Sequence, residues 1–599
     1  MECIFNDLTK IKIYGQIQAL LCELNPIASD KEIDDLINQI PSNLLTQKDD
    51  LMVICSLFSY YSRNNLQNNK GTVIKLFEKI LQPIKEHLQD ESSFFWNIFG
   101  CLFCFKLWFY EEGLIKIEDI IQAVRSDLFN NKETLVAFFL PEIIERESEL
   151  FEKEIKPKIT FQYSDDHIIE FKESRKKYFK WLRDSNNYND PFYREIESDK
   201  LRLSIKTDDI DTFQKIFNCS NLSIDCQISE SVLENYLFVP REIPIIEFVI
   251  QFNAVKIFKY LLMRYPDLKI ENIFGSICQR NYEVIHIVES QMKDKFPKDS
   301  LGCSIRSWNS DVTDYVLNKY NYEYYEKSGI GADHDEEILQ IFGDICFSSN
   351  FIFFENVFLP FLQKNPDFFN RNFHELVIDS FHELSCFFFN EFIKSPKMDV
   401  NYNSPFNSNF SLLTIAIEFK NTKAVEILLN QPEIDIFNLN RSFFSPFHCV
   451  CANYSDMKTV RMFCNHPNFN VNWADSVFDE SAFHLSMIRQ NTYVMQYLID
   501  NFEDLMLINI EDDIFYCLEN DYCMSLKILL KVFVDVNEGI ETGDVISYFK
   551  DYISSKLDIP EEEEEEENKE EEEEFNNEKI DLLKKYLAKI NQIICELNK

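Results

Sequence analysis

The sequence predicts an all-α chain in which a helical N-terminal domain precedes a long array of stacked helix pairs. Three observations carry this. Glycine is scarce at 11 residues and proline modest at 18 in a chain of 599, while 45% of the residues are hydrophobic. That balance disfavours turn-rich β sandwiches and glycine-rich phosphate loops, and favours helices. Apolar residues recur at helical spacing, as in Val73, Leu76, Phe77 and Ile80. Finally, Ser445-Pro446-Phe447-His448 is echoed by Ser481-Ala482-Phe483-His484, and Ser411-Leu412-Leu413-Thr414 precedes both at nearly the same interval. Each tetrad opens a short apolar helix; a second apolar helix follows, then in most copies a Pro and a polar loop. Self-similarity at a fixed period outranks any single motif in deciding a fold.

Residues 1–160 read as a helical domain without repeats, with Pro83, Pro141 and Pro157 marking helix boundaries. The longest apolar run, Phe94 to Tyr110, contains Asn97 and Lys106 and is flanked by Glu91, Glu111 and Glu112. A membrane span needs about 20 apolar residues, so this run reads as a buried helix. Residues 161–200 read as a charged connecting segment. Its basic cluster of Lys172, Arg175, Lys176, Lys177, Lys180 and Arg183 interleaves with Glu170, Glu173 and Asp184, the pattern of a solvated helix face. A docking patch for the chain's own acidic tail is the sharper alternative.

From 201 to 545 the helix pairs repeat about ten times. The central apolar residue of each second helix serves as an anchor. Phe354, Phe389, Val425, Val460 and Met495 follow at steps of 35, 36, 35 and 35. Phe213, Phe258, Ile285 and Thr313 give looser upstream versions, and Leu526 gives the last. Three connections carry matching text, beginning Pro396-Lys397-Met398-Asp399, Pro432-Glu433-Ile434-Asp435 and Pro467-Asn468-Phe469-Asn470. Thr207-Asp208-Asp209-Ile210-Asp211 reads as a helix start, where acids suit the positive end of the macrodipole.

These tetrads and connections resemble the ankyrin repeat, whose unit opens with Thr-Pro-Leu-His and ends in a finger-like loop with an Asp/Asn-x-Asn signature. Ser445-Pro446-Phe447-His448 departs by Ser for Thr and Phe for Leu. Ser481-Ala482-Phe483-His484 lacks the Pro, and Ser411-Leu412-Leu413-Thr414 lacks both Pro and His. The glycine that normally separates the two helices is replaced by Lys420-Asn421, Arg280-Asn281, Trp308-Asn309 and Gln490-Asn491. Asn tolerates the left-handed conformation better than most residues, so it is expected to make that turn. With Ile54 to Arg63 and Leu203 to Asp209, the chain resembles the Asn- and Phe-rich protist ankyrin proteins that carry an N-terminal helical domain of unknown function. The resemblance implies structural roles for Ser445, Pro446, His448, Ser481 and His484, whose hydroxyls and imidazoles tie the turn to the helix start.

The tail differs in kind. Glu561 to Glu567 and Glu570 to Glu574 make 559–576 an acidic run expected to stay disordered. Beyond it, residues 577–599 read as an amphipathic helix. Ile580, Leu583, Leu587, Ile590, Ile594 and Leu597 form an a/d seam that suits either a homodimer or docking within the chain.

The net charge of −41 argues against nucleic acid, which is held by Lys and Arg. The 17 cysteines, odd in number and without framework spacing, fit reduced thiols in a cytoplasmic protein. Met1 to Asp7 has no basic region followed by an apolar stretch, so no secretory signal is expected. His448, Cys449, Cys451, Cys464 and His466 lie near one another without the spacing of a zinc site, so no metal is expected. Phosphate-loop, dinucleotide, nucleophile-elbow and metalloprotease motifs are absent, so neither catalytic residues nor cofactors are assigned. The expectation is a non-enzymatic scaffold that binds a protein partner on its finger surface. The candidate contacts are Tyr402, Asn403, Phe406, Asn438, Arg441, Phe443, Trp473, Asp475 and Phe478, because aromatics and Arg dominate interface hot spots. The alternative is an assembly protein that pairs through residues 577–599.

Overall fold

Helices make up nearly all the regular structure of the chain, seen in a computed structural model. It describes the chain except residues 1–7, 65–69, 185–198, 230–241, 271–275, 292–299, 320–333, 440–444, 453–456, 474–480, 503–509, 558–568, 598–599 and some shorter loop stretches. Among the described residues, two small antiparallel ribbons interrupt the all-α pattern, Gln227–Ser229 with Glu242–Pro244 and Asn403–Ser404 with Phe410–Ser411.

The N-terminal unit comprises α1 (Leu8–Glu23), α2 (Asp30–Ile37), α3 (Lys48–Asn64), α4 (Lys70–His87), α5 (Ser92–Ile98), α6 (Phe103–Glu111), α7 (Ile117–Phe129), α8 (Thr134–Arg146) and α9 (Asp165–Asp184). The apolar run 94–110 is not one helix. It folds back as α5 and α6, and its aromatics close on one another. Phe95 stacks on Phe109 at 5.0 Å and Phe99 on Phe105 at 5.0 Å, with Phe77 of α4 against Phe99 at 5.4 Å. Each such buried ring contributes about 1.5–3 kcal/mol. Lys106 is buried with its ammonium 3.9 Å over the Trp96 ring, a cation–π contact that offsets its desolvation. Pro83 and Pro141 do not end helices; they lie inside α4 and α8. In α4, Ile80 and Ile84 on either side of the proline are both fully buried, so packing holds the two halves in line.

Residues 165–184 of the charged segment form a helix packed on the N-terminal unit. In α9, Tyr178, Trp181 and Leu182 are buried, and the Leu182 carbonyl lies where a Cβ on Gly71 of α4 would sit, at 2.2 Å. Arg175 is buried too. Its guanidinium makes paired bonds to Glu142 at 2.8 and 2.9 Å and donates to the Phe138 carbonyl. Arg183 pairs with Glu78, and Lys172 with Glu145. Part of the basic cluster is therefore spent on joining α9 to α4 and α8.

From residue 200 onward the helices come in pairs, and the anchors chosen from the sequence mark their second members. Phe213, Phe258, Ile285, Thr313, Phe354, Phe389, Val425, Val460, Met495 and Leu526 are all at most 3% exposed. Successive pairs lie against one another, first helix on first and second on second. Leu412–Glu418 rests on Pro446–Ala452, which rests on Ala482–Ile488, while Thr422–Leu429, Met457–Cys464 and Thr492–Asn501 stack beside them.

Three of the turns within pairs differ from the sequence expectation. The left-handed residue is the one before the Asn: Trp308 (φ 55°), Lys420 (φ 55°) and Gln490 (φ 54°). The Asn itself sits at φ −89° (Asn421) or −82° (Asn491), as the N-cap of the second helix. At Asn421, Asn350 and Asn309 the amide gives the reason. Asn421 accepts from the Ala424 N–H at 3.0 Å and donates back to the Phe381 and Glu383 carbonyls of the preceding pair at 2.9 and 3.1 Å. Asn350 does the same with Phe353 N–H and the Ile305 carbonyl, and Asn309 with Val312 N–H and the Ile277 carbonyl. One side chain thus satisfies an orphan helix donor and stitches two pairs together.

Past the last pair, Thr542–Lys556 is followed by the C-terminal helix Lys569–Leu597. That helix begins earlier than the sequence suggested and takes in Glu570 to Glu574, since Glu is a good helix former and suits the first turns. Residues 559–568 of the acidic run lie outside the described residues. Leu583, Tyr586, Ile590, Ile593 and Ile594 are buried against Cys523–Val536 and Thr542–Lys556. Lys589 pairs with Asp521, and Tyr586 meets Phe515 edge-on. Of the a/d seam, Leu583, Ile590 and Ile594 are buried within the chain, and Ile580, Leu587 and Leu597 are half-buried.

Candidate functional site

The helix pairs present two faces, one lined by the polar connections between pairs, here called fingers, and one by the turns within pairs. On the finger face, Asn401 bridges two successive fingers. Its Nδ2 donates to the Glu433 carbonyl at 2.7 Å, and its Oδ1 accepts from the Asp435 N–H at 2.8 Å. Asn403 and Asn438 exchange amide bonds at 3.1 and 3.2 Å. Tyr402 lies flat on His374 with ring centres 4.2 Å apart and donates to Glu375. Burial and the Glu375 charge push its phenol up to about 12. Burial likewise raises the Glu375 carboxyl and lowers the His374 imidazole. Trp473 stacks on Phe437 at 4.9 Å and meets the His448 ring at 5.2 Å.

Of the candidate contacts, Tyr402, Asn403, Asn438 and Trp473 are therefore half-buried; Asn403, Asn438 and Trp473 tie one finger to the next, and Tyr402 ties its finger to the helix Phe373–Asp379 of its own pair. Phe406, Arg441, Phe443, Asp475 and Phe478 lie outside the described residues. The tetrads cap their helices, reciprocally at Ser445 and His448, where the His448 ring also accepts from the Ser445 N–H. Ser445 Oγ lies 2.8 Å from His448 Nδ1 and accepts from its N–H, and Pro446 occupies the first helical position. Ser481 caps the His484 N–H, and the His484 ring reaches Asp513 of the next pair at 3.5 Å. Burial pushes the Asp513 carboxyl up to about 6, against the pull of His484.

The turn face is covered by the N-terminal unit, and the contacts fall one set to each of seven consecutive pairs. Tyr60 stacks on Trp308 at 6.2 Å. Gln18 donates to Asn350 at 3.0 Å and accepts from Ile352 N–H at 3.1 Å. Tyr14 meets Phe387 edge-on at 5.4 Å. Ser93 bonds Thr422 at 2.9 Å, Asn97 donates to the Lys420 carbonyl at 3.1 Å, and Asp49 pairs with Lys423 at 3.0 Å. Glu91 takes Lys458 at 2.7 Å as well as Lys48 of its own unit at 2.5 Å. Arg125 donates to Thr492 at 3.0 Å, and Glu149 pairs with Lys527.

No protein-family model and no curated protein matches this chain. The geometry alone therefore assigns roles. The residues that join the two halves were not singled out in the sequence, although a signal existed. Gln18, Ser93 and Arg125 are polar side chains set among apolar neighbours on buried helices, where a polar group is placed only with a partner. The fourteen described cysteines are free thiols, and burial raises those of Cys55, Cys346, Cys386 and Cys451. Among the described residues no group of His, Cys, Asp and Glu is arranged to hold a metal ion, and no helix is long and apolar enough to cross a membrane.

Proposed function

We propose that this chain is a non-enzymatic, cytoplasmic interaction scaffold of the ankyrin kind, which binds a protein partner on its finger face and adjoining first helices. The observation that carries the reading is the division of labour between faces. The N-terminal unit occupies the turn side of seven consecutive pairs, and the described finger residues bond to one another and to their own pairs. A row of polar fingers spaced by rigid helix pairs is an extended surface of the sort that repeat arrays use for proteins. Asn403, Asn438 and Trp473 hold the fingers in register, and Tyr402 anchors its finger to its own pair. The contact energy then rests on the side chains beside them, Arg441 and Phe443 first.

Proximity labelling in the native cell, followed by titration of the purified partner, tests this. Arg441→Glu with Phe443→Ser should weaken binding at least about tenfold, as expected for hot-spot residues, and leave the melting temperature unchanged. Full-strength binding by the double variant would refute the finger-face assignment. Pairing through residues 577–599 is not favoured as a second reading, because Leu583, Ile590 and Ile594 of the seam are already buried within the chain.

A further inference from the structure

We propose that the junction between the N-terminal unit and the repeats contains a binding site for a small, uncharged, planar heteroaromatic molecule. The site is a cleft of about 310 Å³ bounded by α3 and α5 on one side and three successive turns on the other. It exists because one turn is longer than its neighbours. Elsewhere Ser307–Asn309, Phe419–Asn421 or Arg489–Asn491 joins the two helices of a pair, whereas Phe373–Asp379 and Phe387–Phe392 are joined by the whole stretch 380–386. That pair lacks the capping Asn. Glu383 replaces it, accepting from the Phe388 N–H at 3.0 Å and from the Ser385 hydroxyl. The cleft is bounded by these added residues, by α3 and α5, and by the turns on either side.

Its chemistry follows from the walls. His382 meets Phe419 edge-on at 4.3 Å, and Tyr60 meets Phe347 edge-on at 5.8 Å, giving two aromatic corners that face a flat ring. Burial pushes the His382 imidazole down to about 4, so that ring is neutral at pH 7, and raises the neighbouring Glu383 carboxyl to about 7, which weakens its charge there. Ser56 is 5% exposed, and its hydroxyl oxygen has no hydrogen-bond partner. A buried polar atom of this kind calls for a partner, and a ligand edge that gives or takes a hydrogen bond supplies one. Glu418 and Lys420 stand exposed among the lining residues with opposite charges, so the opening selects for neither sign. The volume lies at the small end of ligand sites, which suits one or two fused rings and excludes a peptide.

Adenine is the probe, with benzoate as the charged control, in saturation-transfer NMR on the full-length chain. Adenine should bind saturably and benzoate should not. Leu384→Trp, which fills the cleft, should abolish binding. Ser56→Ala should weaken it by roughly 3- to 10-fold, the worth of one neutral hydrogen bond. Circular dichroism and melting establish that each variant is folded; if Leu384→Trp is not, Ser56→Ala decides. Failure of adenine to bind the native chain at millimolar concentration, or binding that the folded variants leave unchanged, overturns the proposal.

Discussion

Lys420 stands where a glycine would be unstrained. Its left-handed backbone costs an ordinary side chain about 1–2 kcal/mol, while a glycine there would give back about 0.4–1 kcal/mol through a freer unfolded chain. Lys420→Gly is therefore expected to stabilise the chain by about 0.5–1 kcal/mol. Asn421→Ala should do the opposite, by about 2–3 kcal/mol. It removes a helix cap and two bonds to carbonyls of the preceding pair at once. Urea unfolding of the two variants checks both signs. Not every left-handed residue invites the same change. The Asp208 carboxylate accepts from the Lys256 and Ile257 N–H groups, so glycine there would lose two bonds while relieving the strain. The neighbouring Asp209 caps its own helix through Thr212 N–H. Adjacent acids in what read as one helix-start cluster thus serve two different helices.

At the scale of elements, α5 is fastened to the repeats through Glu91, which is 1% exposed. Burial opposes its ionisation, yet Lys458 and Lys48 outweigh that and hold the carboxyl below its ordinary range. The sign of the linkage follows. A depressed carboxylate contributes stability that is complete above the ordinary glutamate value of about 4.3 and is lost as pH falls through the depressed one. Hydrogen exchange across α5 should accelerate in that acid window. Glu91→Gln should cost about 2 kcal/mol at pH 7 and abolish this part of the acid dependence. What was legible in the sequence follows the same physics. The anchors were legible because one apolar residue per second helix must face the core, whatever surrounds it. The helix α9 was misread because its charges outnumber its apolar residues. The spacing of Phe171, Arg175, Tyr178 and Leu182 nevertheless marks a buried stripe in which an arginine replaces an apolar residue. The role of the Asn residues was misplaced by one position. Composition names the residue that tolerates the turn, whereas the carbonyls of the preceding pair decide where its amide is needed. The cleft could not be read at all, since it arises from a longer turn meeting helices more than 280 residues earlier in the chain.

At the scale of the molecule, one continuous apolar core runs from Ile11 to Ile594 and includes both the N-terminal unit and the repeats. Heating should accordingly give a single calorimetric transition, with the calorimetric and van't Hoff enthalpies in agreement; two resolved transitions would show that the halves unfold separately. The domain that precedes the repeats in sequence thus lies beside them in space, bonded to seven pairs in turn. Arrays of stacked helix pairs touch only their neighbours and can flex by small rotations summed along their length. Here the row Tyr60, Gln18, Tyr14, Ser93, Glu91, Arg125 and Glu149 fastens one edge of the array at each step. A pull on its ends therefore meets a braced beam instead of a spring, and must peel that edge away before any single pair can open.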